Sequence, residues 1–421
     1  MRCYRPSLIR TRLLAAAAVG AVIALALAAC GSGTPTSPAS RTARPTARAS
    51  TSAPSPPTPA PSASTPLPAR AGTWQLLPPA PVTTSLMFTV SVWTGRQMLI
   101  HGIAYTASST GAGSYKGVTF GYTPATGTWR RLAPGPAPRM AQNNEVALWT
   151  GTQMLVIGLT NAAYNPATNT WQPITPYNGP VGAVSVWTGH QAILWGGGCC
   201  GGSTNAGAAY TPATNTWRKL PPSPLSPRHT TGAWTGKEAI IAGGSRLDYT
   251  HPVVREQTMA SAAAYNPVTR MWRKLPPMPQ ARTGGTALWD GTEFLYIGGN
   301  RAGASAPSAD GFAFSPATGR WRRLPVMPFN RGAFAAVWTG HQVLVWGGWT
   351  GTGAAPRIPP HGLAYDPATG QWSDLPMAPL HGRSSPAGVW TGRQMIVWGG
   401  LNYGPRKDIY YHDGAAYQPA S

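Results

Sequence analysis

Five arginines recur at one place in a repeating chain of 421 residues: Arg139, Arg228, Arg282, Arg331 and Arg383, each after a proline-rich link and shortly before an apolar stretch. A guanidinium carries five donors in a planar fork. That fork suits a carboxylate or phosphate, and it suits the backbone carbonyls of an adjoining segment as well. The five therefore either grip an anionic ligand or tie neighbouring units together, and residue type alone leaves both open. Metal or acid–base chemistry would draw on other groups. Tyr411-His412, with His229, His251, His361 or His381, offers ligand types for copper, and His251 and Glu256 are the nearest base candidates. No spacing among them is that of a metal site, and no Ser-His-Asp order or phosphate loop can be read. The expectation is a ligand-binding surface with no catalytic residues, no metal and no cofactor.

Cysteine chemistry is confined to four residues. Cys199 and Cys200 are adjacent, which permits a strained vicinal disulfide or two thiols. Cys3 stands in the leader described below and Cys30 at its end, so there is neither a disulfide framework nor a zinc spacing.

The elements that must position these groups form seven copies of one pattern. Each opens with an apolar strand ending in Trp-Thr-Gly, at Trp93, Trp149, Trp187, Trp234, Trp338 and Trp390, with Trp289-Asp290-Gly291 as the remaining copy. The Thr-Gly or Asp-Gly pair suits a tight hairpin with a left-handed residue. A second apolar strand usually ends in Gly-Gly, as in Trp195-Gly196-Gly197 and Trp346-Gly347-Gly348. After a variable loop come an aromatic residue, a polar-Pro-small-Thr turn and Trp, as in Tyr210-Thr211-Pro212-Ala213-Thr214-Asn215-Thr216-Trp217. Proline pre-sets φ for that turn, and Asn or Gly takes its left-handed position. The first two copies depart from the pattern, with His101-Gly102 and Ile157-Gly158 in place of Gly-Gly.

The Gly-Gly pair, the later Tyr and the Trp six or seven residues beyond it resemble the kelch repeat over residues 72–421. The resemblance implies an all-β, seven-bladed β-propeller of four-stranded blades. The last copy stops at Tyr417-Gln418-Pro419-Ala420-Ser421, and the strand it lacks stands at Thr73-Trp74-Gln75-Leu76. The N-terminal strand is therefore expected to complete the C-terminal blade, leaving no open edge. Short turns fall on one face, and variable loops fall on the other with the links and their arginines. On this fold the five arginines are expected around the mouth of the central channel, where kelch adaptors hold acidic peptide motifs. Copper-radical galactose oxidases and kelch-type sugar-acid epimerases share the fold and are the enzymatic alternatives to a binding module.

The N-terminus supplies the context. Arg2, Arg5, Arg10 and Arg12 precede an apolar run over 13–29, a secretory signal too short for a membrane span. Leu27-Ala28-Ala29-Cys30-Gly31 resembles the lipobox of bacterial lipoproteins, which implies lipidation of Cys30 and anchoring to the outer face of the cell membrane. Residues 31–71 are nearly all Ser, Thr, Pro and Ala, a composition expected to form a disordered tether. Net charge is +22, of which +14 falls after residue 71. For an exported protein this favours an anionic cell-envelope polymer, a glycan or an acidic protein segment as partner, rather than nucleic acid. Basic pairs such as Arg218-Lys219 and Arg322-Arg323 belong to the outermost strands, where they would discourage edge-to-edge pairing.

Overall fold

Apolar runs in the second strand of each unit lack the alternation of a sheet with one wet face. Met154–Ile157, Ala192–Trp195, Phe294–Ile297, Val343–Trp346 and Met395–Trp398 are buried at every residue. Such strands must be covered on both sides. A computed structural model, which describes residues 72–420 apart from 83, 85, 107–113, 137–144, 159, 178, 180–181, 199–202, 249–254, 352–356 and 404–407, shows how.

The chain forms seven antiparallel four-stranded blades, taken in order over 86–131, 146–173, 184–219, 229–275, 286–323 and 335–374, with the seventh from 387–419 and 72–76. In the seventh, Gly72–Leu76 lies antiparallel to Gly414–Pro419, with Trp74 opposite Tyr417. The N-terminal strand thus closes the ring, as the split repeat requires. Seven apolar clusters each join two neighbouring blades; one combines Ala233, Ile240 and Ala264 of blade 4 with Phe294, Tyr296 and Phe312 of blade 5. The core therefore sits between blades.

The repeated aromatic pair acts at the same junctions. In every blade the third-strand Tyr or Phe lies against the outermost-strand Trp, with centroids 4.9–5.2 Å apart. Each of those seven indoles donates Nε1–H to a carbonyl in the link leaving the preceding blade, at 2.8–3.0 Å: Trp74 to Pro376, Trp129 to Pro78, Trp171 to Ala133, Trp217 to Thr175, Trp272 to Pro221, Trp321 to Pro276 and Trp372 to Pro325. The ring pair contributes about 0.5–1.5 kcal/mol and the hydrogen bond a similar amount. Repeated around the circle, this stitches each blade to the next.

The turns follow their residue types, with one shift in register. Gly95, at φ 89°, is the first loop residue of its hairpin, while Thr94 is the last paired one. The Thr94 hydroxyl accepts from the amides of Arg96 and Gln97. Asp290 uses its carboxylate in the same way toward Thr292 and Glu293. Asn169 and Asn215 take the left-handed place of the Pro-containing turn, and Arg270 takes it in blade 4. In blade 1 the strand Met98–Thr106 runs straight through His101-Gly102. Burial pushes the His101 imidazole down to about 4, so it is a neutral core residue beside Thr119 and Trp171. The long loop of blade 4 begins and ends in strand, with 245–248 paired to 255–258.

Candidate functional site on the loop face

The links and the second-to-third loops emerge together, so the arginines belong to this face in sequence. Four of them are described, and all are buried: Arg228, Arg282, Arg331 and Arg383 are each 0–1 % exposed. Arg228 donates to the carbonyls of Ser226 and Gly243, and Arg331 to those of Gly347 and His361. Arg383 donates to the carbonyls of His381, Gly399 and Asp413 and to the Asp413 carboxylate at 2.6 Å. Arg282 instead meets the Asp310 carboxylate at 2.5 Å. Each fork thus reaches within its own blade, to the first glycine of the Gly-Gly pair or to the residue before the third strand. The backbone carbonyls of Arg228, Arg282 and Arg383 accept from Gly197, Gly244 and Gly348 of the preceding blade. Those glycines are left-handed, and a Cβ on Gly347 would stand 2.8 Å from the Arg383 carbonyl, which explains the Gly-Gly pair. Burial lowers Arg228 and Arg331 to about 10, leaving both charged at neutral pH. Arg139, like Cys30, Cys199, Cys200 and His251, lies outside the described residues.

Two hollows open on this face, and neither is lined by the four arginines. The larger is a groove of about 830 Å³. Three segments and Pro360 of the blade 6 loop build it: Leu76–Val82 after the ring-closing strand, Met377–His381 between blades 6 and 7, and Tyr410–Asp413 before the last strand. Its surface mixes the exposed apolar side chains Leu76 and Met377 with prolines, imidazoles and phenols. The Arg383 guanidinium lies 4.1 Å from the Tyr411 ring centroid, and the His381 imidazole stacks on the same phenol with centroids 6.3 Å apart. Burial would raise the Asp413 carboxyl, but the Arg383 guanidinium outweighs it and holds the group below the usual carboxylate range. Tyr410 is raised by burial and by the Asp408 carboxylate, so it remains a neutral phenol. The groove therefore offers fixed flat rings, an ionised carboxylate and hydroxyl donors, a set that fits the faces and hydroxyls of sugar rings.

The copper candidates are only partly brought together. Tyr411 and His381 meet, but His412 uses Nε2 to accept the amide of Leu86 at 3.3 Å. Among the described residues no group of three His, Cys, Asp or Glu side chains converges as metal ligands. Glu256 sits on the blade 4 hairpin, its carboxyl raised by burial, away from both hollows.

The second hollow is the loop-face mouth of the central channel, about 340 Å³, and Tyr410 lines both it and the groove. Its wall contains Glu145, which the sequence reading passed over. Glu145 stands four residues before the blade 2 Trp149, where the other copies have Thr89, Ala183, Thr230, Gly285, Phe334 and Pro386. A single acid at an otherwise uncharged repeat position was the available signal. Compared with protein-family models and with curated proteins, the chain matches none of them.

Proposed function

We propose that this protein is an exported, lipid-anchored binding module that presents the loop face of a kelch-type propeller to an acidic glycan of the cell envelope. Residues 1–29 serve as the signal, Cys30 carries the lipid, and residues 31–71 are the tether. The observation that supports the glycan is the groove of about 830 Å³, where Tyr410, Tyr411 and His381 present rings beside Asp413. The +14 charge of residues 72–421 favours an acidic polymer over a neutral one by drawing it from solution. Stacked rings and hydroxyl contacts then set which sugars are held. The test is equilibrium binding of the full chain to a uronic-acid polymer and to a neutral polysaccharide, each at low and high salt. Binding of the acidic polymer that weakens with salt supports the proposal. Equal, salt-independent binding of both polymers, or binding of neither, rejects it.

A further inference from the structure

We propose that the channel mouth is a second binding site, separate from the groove, in which Glu145 receives the primary ammonium group of a small ligand. Glu145 is 2 % exposed. Its Oε1 accepts the amide of Thr160 at 2.9 Å and the Thr160 side chain lies beside the carboxyl, while Oε2 has no hydrogen-bond partner among the described residues. No described cation pairs with it. A buried carboxylate without a counter-charge is costly, and proteins neutralise such groups or pair them. The fold does not require an acid here, since Thr, Ala, Gly, Phe and Pro fill the same position in the other six copies. An acid that the repeat does not require, lining a cavity with no counter-charge among the described residues, is what a ligand cation would complete.

The rest of the cavity narrows the ligand. Ser91, Ser185 and Thr286 contribute hydroxyls, while Leu86, Phe88 and Phe334 contribute apolar wall. Among the lining residues Tyr410 is the other ionisable group, and its raised phenol stays neutral. At about 30 Å³ per water, the cavity holds roughly ten water volumes, room for an ammonium head on a short apolar or hydroxylated body. A cationic head satisfies Oε2, and the body displaces water from Phe88 and Phe334. An anion would meet the unpaired carboxylate and be repelled.

n-Butylammonium and n-butanol, nearly equal in shape and different in charge, are the probes. Titrated into the full chain and followed by ligand-observed NMR, the ammonium is expected to bind about tenfold tighter or more than the alcohol. Glu145→Gln, which keeps an acceptor for Thr160, should remove that preference, and His381→Ala in the groove should leave it intact. In the wild-type chain the preference should fade as pH drops through the Glu145 carboxyl, which burial has raised, because protonation removes the charge. The alcohol's affinity should not change over that range, a readout independent of whether Glu145→Gln folds. Equal affinities for the two probes, a preference that survives Glu145→Gln, or no saturable binding of either would overturn the proposal.

Discussion

Arg383 and Arg331 occupy equivalent places in successive blades and should respond very differently to replacement by methionine, which fills the volume of the stem without the fork. In Arg383→Met the carbonyls of His381, Gly399 and Asp413 all lose their guanidinium donor, and Tyr411 loses the cation on its ring. Charge-assisted bonds contribute about 1.5–3 kcal/mol, less where a partner is partly wet, so the summed loss is about 3–6 kcal/mol. Arg331→Met orphans two carbonyls, Gly347 and His361. It also removes two buried donors, Nε and Nη2, that have no partner among the described residues, and relief of that penalty offsets much of the loss. The expected net is about 0–2 kcal/mol. For about 350 folded residues, 1 kcal/mol moves the midpoint by about 1.4 °C, so Arg383→Met should melt about 4–8 °C low and Arg331→Met within about 3 °C of wild type. Differential scanning calorimetry of the two variants decides it. Equal losses, or a larger loss at Arg331, would show that the hydrogen-bond inventory does not govern these forks.

Three further outcomes follow from the ring. Deleting Gly72–Leu76 removes five register pairs and the Trp74 bond to Pro376, and should cost more than about 5 kcal/mol while exposing a strand edge that associates on size-exclusion chromatography. Trp321→Phe keeps the ring against Phe314 but loses the bond to the Pro276 carbonyl, so chemical denaturation should report a loss of about 0.5–1.5 kcal/mol. Asp413 has a folded-state carboxyl held below its unfolded value. Its contribution is therefore present above the unfolded value and lost as pH falls through the folded one, and Asp413→Asn should flatten the stability profile on the acid side of the ordinary carboxylate range.

What could be read from the sequence was whatever is local in the chain. The Trp-Thr-Gly turns, the glycine pairs and the Tyr-to-Trp spacing each lie within a single blade, and the halves of the split blade are recognisable because Tyr417 and Trp74 are fragments of one motif. The direction of the arginine forks was not legible, because the same fork fits an anion or a carbonyl and only the neighbouring chain decides. The groove was hidden for a different reason. Its walls come from 76–82, Pro360, 377–381 and 410–413, which meet only once the ring has closed. Glu145 escaped notice because the link before blade 2 is irregular and lacks the Arg-to-Trp spacing of the later blades, so its register has to be counted back from Trp149.

The claim that the loop-face groove is where this protein binds rests on side chains that can be removed without touching the ring. His381 is exposed and engages Arg383 through its backbone carbonyl, and Tyr410 lies half-buried at the groove wall. The decisive measurement is the affinity of the full chain for a uronic-acid polymer, compared between wild type and the His381→Ala, Tyr410→Ala double variant. Loss of about 1–3 kcal/mol per stacked ring predicts at least a tenfold weaker complex with unchanged melting. Undiminished affinity in a folded double variant would place binding elsewhere and contradict the account.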